Sequence, residues 1–309
     1  MAQKPLLVTY ISDLVTVLLS APGNVFILLV ILMDVVNARS LPINGQLIFG
    51  ISLLNVLHQL GFICGDIILL MEKGIIFNTV LDGLRPLSVA SMSCTIWLST
   101  LLSMYFCLKI VNMKQKFYTL LQQTFPKLLH KVLVMNVIGS LVLGYFSFSW
   151  VSKHGYSNNT FDDTGELAFT KHDPRLYSKA LMFFLMIVSF IVFCLSTGII
   201  SYSLCRHIGN IQANPGSSRA ISTQAHTHTI VTIFSLLISS IIRIITEVIW
   251  TIPSSSSAPE YISAVLSALN HVSTPLILIR GNRKLEKALQ RFLNWLPFPK
   301  CLIFREAKL

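Results

Sequence analysis

The stretch CTIWLSTLLSMYFCLKIVN, residues 94–112, decides how this chain is read. It closes a longer apolar run, 83–111, in which Trp97 falls at mid-depth and Lys109 at one end. A helix rises about 1.5 Å per residue, so such a run crosses a hydrocarbon layer of about 30 Å. Trp97 then lies deep in the interior and Lys109 at a water boundary. A Trp at the boundary would be ordinary belt material, but at mid-depth it either packs in a core or forms a stacking wall for a ligand.

Composition supports the membrane reading. Of 309 residues, 53% are hydrophobic and 12% charged, against about 25% charged in a soluble domain. So few charges do not cover a globular surface. The net charge of +11 invites a nucleic-acid partner, but the basic residues sit between apolar runs and do not interleave with exposed aromatics. No nucleic-acid partner is expected.

Outward from the opening stretch, seven apolar runs emerge, at 6–33, 44–71, 83–111, 128–151, 176–205, 229–252 and 261–279. Each is long enough to span. The first carries Asp13 and is too long for a cleavable signal core, so it reads as a signal anchor. The expected fold is an all-α membrane protein, a bundle of seven transmembrane helices in residues 1–280. A cytoplasmic amphipathic helix and tail follow in 281–309. In GNRKLEKALQRFLNWL, Leu285, Ala288, Leu289, Phe292, Leu293 and Leu296 recur at helical spacing opposite Lys and Arg, the pattern of a helix lying in the membrane interface against lipid.

Charge orients the bundle. Sixteen Lys and Arg, among them Arg39, Lys109, Lys131, Arg206 and Arg283, flank the runs on one side. Seven lie on the other, balanced by seven acids. The richer side is cytoplasmic by the positive-inside rule, which puts a short N-terminus outside and the C-terminus in the cytoplasm. Asn158-Asn159-Thr160 is a glycosylation sequon in a loop that this topology also places outside.

The six cysteines show no metal-ligand spacing and no disulfide framework. Cys205 and Cys301 are positions where palmitoylation is open. His226-x-His228 lacks further ligands, and residues two apart on a helix face different ways. No metal site, cofactor or catalytic constellation is expected, so the chain is not read as an enzyme.

Buried charge in lipid is costly and points to function. Asp66 lies about one and a half turns below the outer end of the second run. Glu247 lies at similar depth in the sixth, with Arg243 one turn deeper on the same face. The Arg243–Glu247 pair at i, i+4 explains itself as a structural pair. The functional alternative is an outer pocket, partly acidic through Asp66 and Glu247, for a cationic or hydrogen-bonding ligand. Asn24, Asn55, His58 and Asn136 read as interhelical hydrogen-bonding groups, and Gly23 beside Pro22 as a close approach or kink.

Several motifs resemble those of the bitter taste receptors, the type 2 taste receptor family of G-protein-coupled receptors. The opening stretch is similar to the family's third-helix pattern W-L-A-T-x-L-S…F-Y-F-L-K-I-A-N through Trp97, Leu98, Thr100, Leu102, Ser103, Leu108, Lys109, Ile110 and Asn112. Ser203-Leu204-Cys205-Arg206-His207 resembles S-L-W-R-H, and His226, Ile230, Ser235 and Leu237 fit H-x-K-A-L…S-F-L. Leu276 to Leu285, reading LILIRGNRKL, fits L-I-L-I-x-G-N-x-K-L. The chain departs from the pattern at Leu54-Asn55 in place of S-R, at Thr274-Pro275 in place of H-S, and at Leu101 in place of an Asn. Pro275 also resembles the vomeronasal type 1 pheromone receptors, the alternative within this class. A small-solute transporter is the alternative outside it, but no repeat or broken helix with midplane ionisable residues appears.

The resemblance implies a chemosensory receptor. A small bitter agonist would bind among the outer helix halves, with Trp97 as a pocket wall, a greasy floor at Leu101, and Ala264 and Ser267 on the seventh helix. Lys109, Arg206, His207 and His226 would face a heterotrimeric G protein of the gustducin and inhibitory class. Homo- or hetero-oligomers are compatible with it.

Overall fold

The computed structural model describes residues 3–38, 41–70, 75–111, 116–155, 174–212, 220–251 and 258–295. These form eight helices: α1 Gln3–Ala38, α2 Ile43–Leu70, α3 Ile75–Ile110, α4 Lys116–Gly155, α5 Pro174–Gln212, α6 Ala220–Thr251, α7 Ala258–Gly281 and α8 Arg283–Trp295. The first seven each contain a stretch long and apolar enough to cross a membrane, for example Pro86–Lys109 in α3 and Val231–Ile249 in α6. The chain is therefore a multi-pass, all-α membrane protein. In lipid every backbone N–H and C=O has to be satisfied within its own segment, which is why the runs form helices even across Pro22, Pro86, Pro126 and Pro275.

The helices run past the apolar stretches. α4 starts at Lys116, well before the run at 128–151, and its membrane-crossing stretch is Thr119–Tyr145. Hydropathy marks the oil, whereas helical hydrogen bonding continues into the interface until a turn or a loop stops it.

α3 is central: it packs on α2, α4 and α5, while α6 pairs with α7 and α7 lies along α1. α6 and α3 touch only slightly. The core draws one fully or nearly fully buried side chain after another from the seven spans: Ile27, Ile51, Leu102, Leu129, Phe193, Ile233 and Leu278. Outward, Leu18, Val36, Met135, Leu195 and Tyr202 are exposed, the lipid-facing surface of such a bundle.

Because lipid is as apolar as a leucine core, close packing and hydrogen bonds hold the helices together. Gly144 of α4 rests against the Pro86 carbonyl of α3, a position without room for a side chain. Gly23 of α1 faces the Pro275 ring of α7, where an added Cβ would lie 3.0 Å from the ring's Cβ. The close approach read at Gly23 is thus with α7. His58 of α2 meets Ser88 at 3.1 Å and Ser91 at 3.2 Å on α3, and Asn136 of α4 donates to the Cys94 carbonyl at 3.3 Å. Asn24 instead turns back on its own helix to the Ser20 carbonyl, 3.1 Å away. Asn55 Nδ2 has no hydrogen-bond partner among the described residues.

α8 begins on a cap. Asn282 Oδ1 accepts from the Lys284 backbone N–H at 3.0 Å, satisfying a helix-end donor. Leu285 is buried, and Ala288 and Leu289 pack against the same core. Phe292 meets Phe26 of α1 with ring centroids 6.1 Å apart, and Lys284 pairs with Asp34 at 2.8 Å. The apolar face read from the sequence is the face that docks, and Leu296 lies outside the described residues.

Candidate ligand cavity

The weak contact between α3 and α6 leaves a cavity at mid-span, walled by α3, α5, α6 and α7. About 470 Å³ of space between atoms, open solvent included, lies among these helices. Ile96, Met186, Phe190, Phe193, Leu236 and Ile244 supply apolar wall, and Thr95, Ser99, Thr100, Ser189, Ser239, Ser240 and Thr274 supply hydroxyls. Arg243 is the one charged residue among the described lining residues.

The hydroxyls sit on helices at little cost because most bond locally. Thr95 donates to the Ser91 carbonyl at 2.8 Å, Ser99 to Thr95 at 2.9 Å, Ser240 to Leu236 at 2.9 Å and Thr274 to Asn270 at 2.8 Å. This one-turn back-bonding answers the hydroxyl hydrogen within the helix. What these groups turn to the cavity is then oxygen lone pairs. Thr100 and Ser189, 2.7 Å apart, tie α3 to α5 in the wall.

Arg243 is held from α7. The carboxamide of Asn270, oriented so that both its ends meet complementary groups, accepts from Arg243 Nε at 2.9 Å and Nη2 at 3.1 Å. Its nitrogen donates to the Ser239 carbonyl at 3.2 Å and also meets Ser239 Oγ. One residue on, His271 stacks on His58 with ring centroids 5.1 Å apart and planes 28° from parallel. Two polar groups thus meet at adjacent residues of α7: Arg243, Ser239 and Asn270 between α6 and α7, and His271 with His58, Ser88 and Ser91 between α7, α2 and α3.

The sequence-predicted residues divide. Arg243 lines the cavity, while Glu247, one turn along α6 and within electrostatic reach of it, does not. Trp97 is half-buried, one residue and about 100° round α3 from Ile96, and is not part of the lining. Leu101 is buried in the hydrophobic core. Ala264 and Ser267 are half-buried on α7, within two turns of Asn270 and outside the lining. Lys109 is exposed at the end of α3, its Nζ 5.6 Å from the Tyr105 ring centroid, and Arg206 is exposed near the end of α5. The side chains of Asp66, His207, His226 and Cys205, and residues Asn158 and Cys301, lie outside the described residues. The four cysteines whose side chains are described form no disulfide.

Sequence reasoning missed Asn270, which holds the Arg243 guanidinium, and Ser239, which holds Asn270. The available signal was an Asn in the middle of the seventh apolar run, but its partner on another helix has no sequence spacing to give it away.

Comparison with known proteins agrees with this architecture over nearly the whole chain. The family model for taste receptor protein (TAS2R) matches residues 1–297. Taste receptor type 2 member 9 of Homo sapiens is 23% identical over 289 residues, covering 92% of this chain and 91% of the relative. Member 14 of Macaca mulatta is 25% identical over 89% of this chain and 88% of its own. Member 41 of Pan paniscus is 27% identical over 65% of this chain and 67% of its own. With seven spans, a docked eighth helix and a family match of this extent, the chain belongs to the TAS2R taste receptor family.

Proposed function

We propose that this protein is a chemosensory G-protein-coupled receptor for small bitter compounds, which bind in the mid-span cavity. The observation that carries the reading is the cavity itself, opened where α3 and α6 hardly touch and lined by mixed hydroxyl and apolar groups. Such a lining suits compact, partly polar organic molecules. The relatives' names, taste receptors type 2, supply the sensory class.

The packing suggests how binding becomes signal. α6 is bound firmly to α7 through Asn270 and Ser239, less to α5 and barely to α3. A ligand touching Ser99 and Phe190 on one wall and Ser240 on the other has different contacts when α6 shifts. Only that difference in affinity moves the equilibrium between resting and active states. In the proposed orientation the N-terminus is extracellular, Asn158 is glycosylated, and the α8 end faces the cytoplasm at the plasma membrane. Lys109, Arg206, His207 and His226 then border the opening for a heterotrimeric G protein of the gustducin and inhibitory class. Ala264 and Ser267 lie towards the extracellular end of α7, where a ligand longer than the cavity would reach.

The test is G-protein dissociation in cells challenged with a panel of bitter compounds. At least one compound is expected to activate the wild-type receptor, and Ser99→Phe, which fills the cavity, is expected to abolish that response at unchanged surface level. A response that survives Ser99→Phe would refute the cavity as the site.

A further inference from the structure

Asp66 and Glu247 suggest an acidic pocket for cations, yet the charge on the described wall is the Arg243 guanidinium. We infer that the ligands of this receptor are small organic anions, carboxylates or sulfonates on an apolar body, with the acid group on Arg243; this rests on the cavity being the ligand site.

Two features of the wall point the same way. First, Arg243 enters the cavity already oriented. Asn270 holds the Nε and Nη2 edge at 2.9 and 3.1 Å, which fixes the plane of the guanidinium before any ligand arrives. Asn270 is neutral, so it positions the charge without cancelling it, and Glu247, one turn along α6, offsets only part of that charge from outside the lining. A planar guanidinium is a donor-only group matched to carboxylate and sulfonate oxygens.

Second, the rest of the polar wall supplies few donors. Thr95, Ser99, Ser240 and Thr274 donate to backbone carbonyls of their own helices, so they turn acceptor oxygens to the cavity. A cavity whose hydroxyls accept and whose one described cation donates has two poles. An acid group is held at Arg243, and any hydroxyl or N–H on the ligand body is met by the serine and threonine oxygens.

Glu247 opposes an anion, but from outside the lining and one turn further along α6. A ligand acid in contact with Arg243 gains charge-assisted hydrogen bonds at short range, while the carboxylate repels it from farther away. The nearer charge dominates. Phe190, Phe193 and Met186 line the wall contributed by α5 and suit an aromatic body.

The experiment uses the full-length receptor in nanodiscs and four probes of one shape: 1-naphthoate, 1-naphthalenesulfonate, 1-naphthamide and 1-naphthylmethylammonium. Binding is read from ligand-dependent thermal stabilisation. Naphthoate and naphthalenesulfonate are expected to bind at least about tenfold more tightly than the amide, the size of a charge-assisted over a neutral contact. The ammonium is expected to bind more weakly than the amide. In Arg243→Gln the ratio of naphthoate to amide affinity is expected to collapse to within about twofold of one. Should that variant not reach the membrane, the wild-type ratios decide alone. Equal affinities, preference for the ammonium, or no stabilisation by either anion overturns the inference. The underlying cavity reading fails in a different place, namely if Ser240→Phe leaves the cellular response to a bitter agonist intact.

Discussion

Replacing Asn270 by Leu keeps roughly the side-chain volume and removes the groups that hold Arg243 and Ser239. Besides a contact with Ser239 Oγ, two hydrogen bonds from the guanidinium and one to the Ser239 carbonyl are at stake. Interhelical hydrogen bonds in membrane proteins are worth about 0.6 kcal/mol on average, because helices separated in lipid also find partners. Charge assistance roughly doubles that for the two Arg243 bonds, so the sum is about 3 kcal/mol. The figure of about 3–5 kcal/mol for breaking a buried pair in a soluble core is the upper bound. A cycle of Asn270→Leu, Arg243→Met and the double variant, unfolded reversibly in bicelles, isolates the pairwise part. The expected coupling is about 2 kcal/mol, carried by the two Arg243 bonds. Additivity within about 0.5 kcal/mol would show that Asn270 does not hold the guanidinium, and the pre-oriented charge in the cavity would go with it.

Gly144→Ala places a methyl group on the Pro86 carbonyl across the α3–α4 crossing and is expected to cost about 1–3 kcal/mol of stability; unchanged thermal stability would mean that the crossing relaxes freely. Removing the Asp34–Lys284 pair with Asp34→Asn is expected to cost under about 1 kcal/mol, since the lysine is 67% exposed. Leu285→Ala, by contrast, empties a buried site under α8 and should cost about 2–4 kcal/mol, with α8 lifting from α1 in spin-label distance measurements. Equal effects of those two variants would contradict apolar docking of α8. Trp97→Leu is expected to shift the potency of a small agonist by under about threefold at normal surface level, well below the factor of ten that about 1.4 kcal/mol represents. A loss of tenfold or more would put the ring on the ligand.

The spans were legible because lipid imposes one rule on every residue at its depth. Runs such as 83–111 and 261–279 satisfy it, and the apolar face of α8 is written as plainly in Leu285, Ala288 and Leu289. His58 and Asn136 announce interhelical bonds simply by being polar at mid-span. The cavity was not legible, for two physical reasons. Ser99, Ser240 and Thr274 are small residues that bond to their own helices, so in sequence they look like neutral filler; only the divergence of α6 from α3 turns them into a wall. Arg243 pairs with Glu247 in any reading of the sequence because i, i+4 spacing is visible along one helix, whereas Asn270 lies on the next and its contact depends on how α6 and α7 pack. Helix ends such as Lys116 in α4 are hidden because they lie in water or the interface, where hydropathy is silent.

The most direct measurement is a cryo-EM map of the receptor bound to an activating bitter compound and its G protein. Agonist density is expected between α3, α5, α6 and α7, in contact with Ser99, Phe190 and Ser240, with the G protein at the end that carries Lys109, Arg206 and α8. Agonist density elsewhere, with this cavity empty in the active complex, would contradict the account.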